Sequence, residues 1–177
     1  MLTLFRSGHL GETKSAIEYY EQALEISQEI GDRFREGKNL GNLGLAYNDL
    51  GEFTKAIEYY EKALRIAKEI GNRLGEGINL GNIGSVHRNL GETKIAIEYY
   101  EQALKIAREI GNRKAESTTL GNLGNVHYSL SELKEAIEYY NQALKIAREI
   151  EDRIGVGEQL ENLRLAYYQL GVPGNFV

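Results

Sequence analysis

The stretch that decides the fold is residues 41–72, which read GNLGLAYNDLGEFTKAIEYYEKALRIAKEIGN. It returns as GNIGSVHRNLGETKIAIEYYEQALKIAREIGN at residues 81–112 and as GNLGNVHYSLSELKEAIEYYNQALKIAREIED at residues 121–152. The period is about 40 residues and never slips, and a weaker copy of the opening motif follows at Glu161-Asn162-Leu163-Arg164. Self-similarity at a fixed period of this length indicates a repeat protein, in which each unit packs on its neighbours.

Each copy predicts two helices joined by a tight turn. The first is expected at about residues 32–48, where apolar residues recur at helical spacing on one face; they are Leu40, Leu43, Tyr47 and Leu50. The second is expected at about residues 53–70, with its inward face formed by Ala56, Tyr60, Ala63, Leu64 and Ala67. Two amphipathic helices cannot cover both of their apolar faces alone, so neighbouring pairs must stack.

The ends of these helices are marked by capping residues and glycines. The expected N-caps, whose side chains accept hydrogen bonds from first-turn amides, are Asp32, Asn72, Asn112 and Asp152. The glycines expected to end helices in the left-handed conformation are Gly51, Gly71, Gly91 and Gly111. Ser131 and Glu151 replace such glycines, which predicts turns of a different construction there. The opening helix is expected to be short, with a turn at Gly11.

Three further glycines lie inside the predicted first helices, where glycine costs about 1 kcal/mol relative to alanine. We expect Gly44, Gly84 and Gly124 to lie on the face toward the second helix, where a missing side chain lets two backbones approach. The alternative is a phosphate-binding loop, which needs a preceding strand and a third glycine. Gly75-Glu76-Gly77 comes closest, but Leu80 stands where the third glycine belongs. Helix packing is the better interpretation.

Composition excludes several classes of function. The chain has no cysteine, so it offers neither a disulfide framework nor a cysteine nucleophile. Its net charge of -5 argues against nucleic acid as a partner. The sequence shows no membrane span and no signal-peptide pattern, which favours a cytoplasmic protein. His87 and His127 fall at the position of Tyr47, on the core face, so core packing is favoured over a metal site. No serine has a defensible histidine and carboxylate beside it, so we expect neither an enzyme nor a cofactor.

One series of residues resembles the tetratricopeptide repeat signature; it reads Leu43-Gly44, Tyr47, Gly51, Ala56, Tyr60 and Ala63 and returns in the next two units. The longer unit is similar to the subclass that includes the Pins/LGN spindle-orientation adaptors, kinesin light chains and bacterial arrays. The resemblance implies an all-α fold, a right-handed α-solenoid of antiparallel helix pairs. In that family the first helices line a concave groove that holds an extended peptide.

The repeat boundaries divide the chain as a single array. A partial first unit is expected at residues 1–31, full units at 32–71, 72–111 and 112–151, a terminal capping helix at 152–171 and a tail at 172–177. Arg164 replaces the packing glycine in the last helix, which suits a solvated cap.

The resemblance implies, by position, an asparagine ladder that contacts the backbone of a ligand: Asn42, Asn82, Asn122 and Asn162. Asparagine is a mediocre helix former, and its amide offers both a donor and an acceptor, as an extended peptide requires. The alternative is that these amides bond to neighbouring helices or are simple copies of a duplicated unit. The other residues expected on the concave face are Lys38, Leu45, Ser85, Arg88, Asn89, Asn125, Tyr128 and Glu158.

The residues beside the ladder vary between units, whereas the core residues barely change. Lys38, Ile78, Thr118 and Glu158 precede the asparagines by one turn. Together with the ladder these residues form a stripe along the first helices. Its charge changes from basic at Arg35 and Lys38 to acidic at Glu158 and Glu161, which would orient a peptide with acidic and basic ends. We therefore expect a scaffold or adaptor that binds an extended or disordered segment of a protein partner. The alternative is self-assembly through exposed array ends, in this chain or in a larger signalling protein of which it is a fragment.

Overall fold

Eight α-helices make up the described part of the chain. A computed structural model describes the backbone of residues 2–171 and the side chains of residues 12–171, and this part contains no strand. The helices are α1 (Leu2–Glu29), α2 (Arg33–Asp49), α3 (Phe53–Glu69), α4 (Arg73–Asn89), α5 (Thr93–Glu109), α6 (Arg113–Ser129), α7 (Leu133–Glu149) and α8 (Arg153–Gln169). The expected tail at 172–177 lies outside the described residues.

The chain divides into two compact units, Met1–Leu90 and Gly91–Val177. In the first, α2 packs against α1 and α3, α3 packs against α4, and α2 also touches α4. In the second, α6 packs against α5 and α7, α7 packs against α8, and α6 also touches α8. Each core therefore lies between consecutive helices, as the two-helix prediction requires. Leu43 on α2 and Leu123 on α6 are fully buried in these cores.

The predicted N-caps are confirmed. Asp32 accepts a hydrogen bond from the backbone N–H of Arg35 at 2.9 Å, and Asn112 accepts one from Ala115 at 3.0 Å. Asn72 and Asp152 cap α4 and α8 in the same way. The Arg35 amide, helped by the Arg35 guanidinium, lowers the pKa of the Asp32 carboxyl. The starts of α2, α4, α6 and α8 are thus determined by local chemistry that the sequence displays.

The two turns without glycine are built like the others, so that prediction was wrong. Ser131 and Glu151 take the left-handed conformation, with φ of 61° and 56°. The Ser131 N–H donates to the Tyr128 carbonyl at 3.0 Å, just as the Gly51 N–H donates to the Asn48 carbonyl at 2.9 Å. The left-handed conformation costs a residue with a Cβ about 1–2 kcal/mol. Packing of the flanking helices stabilises the fold by more than this conformational cost, and it therefore determines the conformation of the turn.

The expected turn at Gly11 is also wrong, because α1 continues through this residue from Leu2 to Glu29. The segment before Gly11 would form a helix of barely two turns, too short to be stable by itself. Continuing the helix satisfies its backbone hydrogen bonds at the cost of two interior glycines, Gly8 and Gly11, about 1 kcal/mol each.

The predicted role of the interior glycines is confirmed at two positions. A Cβ at Gly44 would lie 2.7 Å from the ring of Tyr60, and one at Gly124 would lie 2.5 Å from the ring of Tyr140. Both tyrosines belong to the second helix of the same pair and are almost fully buried. Burial, with the nearby negative charge of Asp49, raises the pKa of Tyr60 far above its ordinary value.

Buried glutamates at the starts of three first helices were not predicted. Glu36, Glu76 and Glu116 are only 7–9% exposed. Glu116 pairs with Arg113 of its own helix and accepts a hydrogen bond from Arg108 of α5 at 3.0 Å. Arg113 also reaches Glu149 at the end of α7. This ion cluster ties the start of α6 to the ends of both neighbouring second helices.

Candidate functional site

The four ladder asparagines occupy one helical position in α2, α4, α6 and α8, and each is half-buried. Among the residues that the structure describes, none of these four side-chain amides makes a hydrogen bond with the protein. No hydrogen bond among the described residues therefore supports the alternative interpretation, in which these amides bond to neighbouring helices. Each amide keeps a donor and an acceptor available to an incoming group.

The ladder asparagines do not make the contact between alternate helices. Residues three positions earlier in the sequence make it. Asn79 and Gln159 are buried and face glycines of the preceding first helix. A Cβ at Gly41 would lie 3.4 Å from Oδ1 of Asn79, and one at Gly121 would lie 2.9 Å from Nε2 of Gln159. Gly41 and Gly121, which precede two of the ladder asparagines, were the available sequence signal for this close approach.

A cavity of about 400 Å³ opens between α2 and α4 in the first unit, and we name it the α2–α4 groove. It brings together four residues predicted from the sequence: Lys38, Asn42, Leu45 and Asn82. Its lining also includes apolar residues that the prediction left out or named only as variable: Phe34, Ile70, Leu74 and Ile78. These four side chains are 38–59% exposed and lie in one cavity, which leaves a group of apolar side chains available for contact.

The charge in the α2–α4 groove comes from one side chain. Lys38 is exposed and has no ion pair among the described residues. Arg35, which we also expected to contribute positive charge, is held by Asp32. No aspartate or glutamate occurs among the described residues that line the groove. The groove is thus apolar, with two free amides and one free ammonium group.

The corresponding positions of the second unit are more polar. Lys114 of α6 lies 3.6 Å from the carboxylate of Asp152, and Asn125 accepts a hydrogen bond from the Tyr140 hydroxyl at 2.9 Å. Tyr128 packs against the core formed by α7 and α8. Glu158 is exposed and has no partner among the described residues, whereas Glu161 is bound by Arg164. Hydrogen bonds from Arg164 lower the pKa of Glu161.

The expected stripe of charge is therefore reduced by local pairing. Arg35 and Glu161 are each neutralised on their own helix, which leaves Lys38 and Glu158 as its unpaired members. The remaining predicted residues lie in the last turns of α4, where Ser85 and Arg88 are half-buried and Asn89 is exposed. Their role stays a prediction.

Other chemistry has little support in the described part of the chain. His127 is stacked on Tyr139 with ring centroids 5.1 Å apart, and its Nδ1 lies 2.6 Å from the Glu132 carboxylate. The described residues contain no group of three or more histidines and acids arranged to hold a metal ion. Within residues 2–171, no helix combines the length and the apolar character needed to cross a bilayer.

Comparison with known proteins identifies the repeat. A family model described as tetratricopeptide repeat matches residues 8–69 and 75–149. BtubC (BKLC) from P. vanneervenii is 24% identical over 92% of this chain and 68% of its own, with a TM-score of 0.82. Aspartyl phosphate phosphatase F from Bacillus subtilis is 22% identical over 89% of this chain and 42% of its own, with a TM-score of 0.84.

A Rap protein complexed with competence and sporulation factor is 21% identical over 92% of this chain and 49% of its own, with a TM-score of 0.79. Comparison with curated protein sequences gives no match. The chain spans less than half of the length of the phosphatase and of the Rap protein. These likenesses confirm the predicted fold class, an all-α solenoid of helix pairs.

Proposed function

Because the chain belongs to the tetratricopeptide repeat family, a family of generally non-enzymatic interaction scaffolds, we propose that it binds an extended segment of a protein partner along its first helices. The observation that carries this proposal is the set of four ladder amides without a protein partner. An extended peptide has unpaired N–H and C=O groups, and a side-chain amide complements both.

Two further features support the proposal. The residues beside the ladder differ from unit to unit while the core repeats, as expected of a surface adapted to one ligand. In addition, the similar Rap protein was solved in complex with competence and sporulation factor. We infer by analogy that the first-helix surface of a unit holds a peptide, with Asn42 and Asn82 on its backbone in the first unit and Asn122 and Asn162 in the second.

The test begins with a displayed library of random dodecapeptides selected on the purified chain. The tightest peptide is then titrated against Asn42→Ala/Asn82→Ala and against Asn122→Ala/Asn162→Ala. The double change in the unit that holds the peptide removes up to four hydrogen bonds of about 0.5–1.5 kcal/mol each, so the affinity should fall at least about tenfold. Asn141→Ala on the exposed face of α7 is the matched control and should leave the affinity unchanged.

Stability is measured on the same variants. Alanine is favoured over asparagine in a helix by about 0.5 kcal/mol per site, so the melting temperature should hold or rise. A melting temperature that drops by several degrees, with unchanged peptide affinity, would show that these asparagines serve the fold. The ladder proposal would then be refuted.

A second candidate function, self-association, is favoured by one observation. Ile26 of α1 is 56% exposed, although Ile66, Ile106 and Ile146 at the same position are 4–6% exposed. A second copy that covered α1 would remove this apolar surface from water. The sedimentation coefficient should then rise with concentration for the native chain and stay constant for Ile26→Glu. A native chain that stays monomeric at millimolar concentration would exclude this function.

A further inference from the structure

The apolar lining of the α2–α4 groove is not a requirement of the helix-pair fold. α6 takes the place of α2 in the second unit, yet it carries Lys114 where α2 and α4 carry Phe34 and Leu74. It also has Asn125 where α2 has Leu45. Large apolar groups that remain half-exposed in water gain by being covered. Ile78 likewise has a charged counterpart in the second unit, Glu158, so the first unit is the more apolar of the two at three matching positions.

The size of the groove limits what can cover it. Its volume of about 400 Å³ falls at the small end of ligand-sized pockets, which span about 300–1,000 Å³. A helix with its side chains is about 10 Å across and would not enter such a space. One or two side chains of an extended segment fit in a space of this volume.

The polar groups define how such a segment would be oriented. Asn42 and Asn82 lie on the two helices that bound the groove, with free amides for the segment's backbone. Lys38 is the charged residue of the lining, and the described lining residues include no carboxylate that could neutralise it. A carboxylate on the incoming segment would supply the missing charge.

From these observations, and resting on the proposed function, we propose that the α2–α4 groove sets the specificity of the chain. Its ligand is an extended partner segment with a bulky aliphatic or aromatic residue that enters the groove, followed or preceded within about three residues by an aspartate or glutamate that meets Lys38. The apolar residue contacts Phe34, Leu74 and Ile78.

The probes are the dodecapeptides recovered from the displayed library, labelled with fluorescein and titrated by anisotropy. We expect the enriched peptides to share one bulky apolar residue with an acidic neighbour. Ile78→Ser should weaken binding about tenfold or more, because it removes an apolar wall of the pocket. Ile95→Ser changes an exposed isoleucine on α5 and should alter the affinity less than about twofold.

The charge contact is tested by a swap. Lys38→Glu should weaken the acidic peptide about tenfold and should restore binding of the same peptide with lysine in place of its acid. Lys94→Glu, an exposed change on α5, is the control for net charge. Far-UV circular dichroism verifies that each variant keeps the native helix content.

Three results would overturn the proposal. In the first, binding requires Asn42 and Asn82 but is unchanged in Ile78→Ser and Lys38→Glu. The groove would then not determine specificity, and the proposed function would still hold. A library that yields no binder, or only binders indifferent to every variant, would remove both. A native dimer that dissociates on Ile78→Ser would show that a second copy occupies the groove.

Discussion

Gly124 is the residue where a single methyl group should have the largest effect on the helix pairs. The ring of Tyr140 from α7 lies directly on the backbone of α6, and a Cβ at Gly124 would lie 2.5 Å from Cε1 and 2.6 Å from Cδ1 of that ring. Tyr140 is 2% exposed, so its ring has no free space to move into. We therefore expect Gly124→Ala to push α6 and α7 apart.

The size of the effect follows from two opposing contributions. Alanine is favoured over glycine in a helix by about 1 kcal/mol, whereas overpacking a buried contact costs about 1–3 kcal/mol. The matched control is Gly157→Ala on α8, where a Cβ meets nothing within 4 Å and only the favourable contribution remains. The two variants should thus differ by about 1–3 kcal/mol, or by roughly 2–12 °C in melting temperature for a chain of this size.

Thermal unfolding followed by far-UV circular dichroism, with urea titration beside it, measures this difference. Gly124→Ala should melt below the native chain, and Gly157→Ala should melt at or above it. A Gly124→Ala variant as stable as Gly157→Ala would refute the reasoning, since the close approach of ring and backbone would then not determine the distance between the helices.

Three further outcomes are expected. Ser131→Gly and Glu151→Gly should each raise the free energy of unfolding by about 1 kcal/mol, because glycine takes the left-handed conformation without strain; unchanged urea midpoints would mean that these turns are unstrained. Glu116→Ala should lower the free energy of unfolding by about 1–3 kcal/mol, because it removes the central carboxylate of a buried ion cluster. Exposed Glu138→Ala is the control, and equal urea midpoints for the two variants would contradict this prediction. The raised pKa of Tyr60 predicts that stability falls as the pH rises above the ordinary tyrosine value of about 10, because the unfolded chain then releases a proton that the folded chain retains. Tyr60→Phe should reduce the loss of stability between about pH 9 and about pH 11, as read from urea midpoints, and the same loss in both proteins would argue against it.

The sequence was sufficient to predict the helices because the signals that define them are local. Asp32 and Asn112 cap their helices through bonds to amides three residues away, and the apolar spacing of the first helices marks their buried face. The turns at Ser131 and Glu151 were missed for the opposite reason. Residue preference opposes the left-handed conformation there, and the packing of distant helices overrides it.

The candidate site was only partly predictable. Lys38, Asn42 and Leu45 could be placed on one surface because they lie on one helix at helical spacing. Ile70 could not, because it ends the preceding second helix and reaches the groove only through packing. Glu116 likewise reads as a solvated charge in the sequence, since its burial depends on arginines and on a third helix that only the fold brings close.

The contact between glycine and tyrosine in two of the helix pairs also bears on how the chain acquires its structure. Gly44 and Tyr60 lie on consecutive helices, as do Gly124 and Tyr140, so this contact closes over a short loop of chain and loses little entropy in doing so. Contacts of such short sequence separation are associated with rapid folding. A helix pair can therefore close as soon as its second helix has left the ribosome, without waiting for the units that follow. The repeat thus favours vectorial folding during synthesis, with each finished pair offering a surface on which the next one forms.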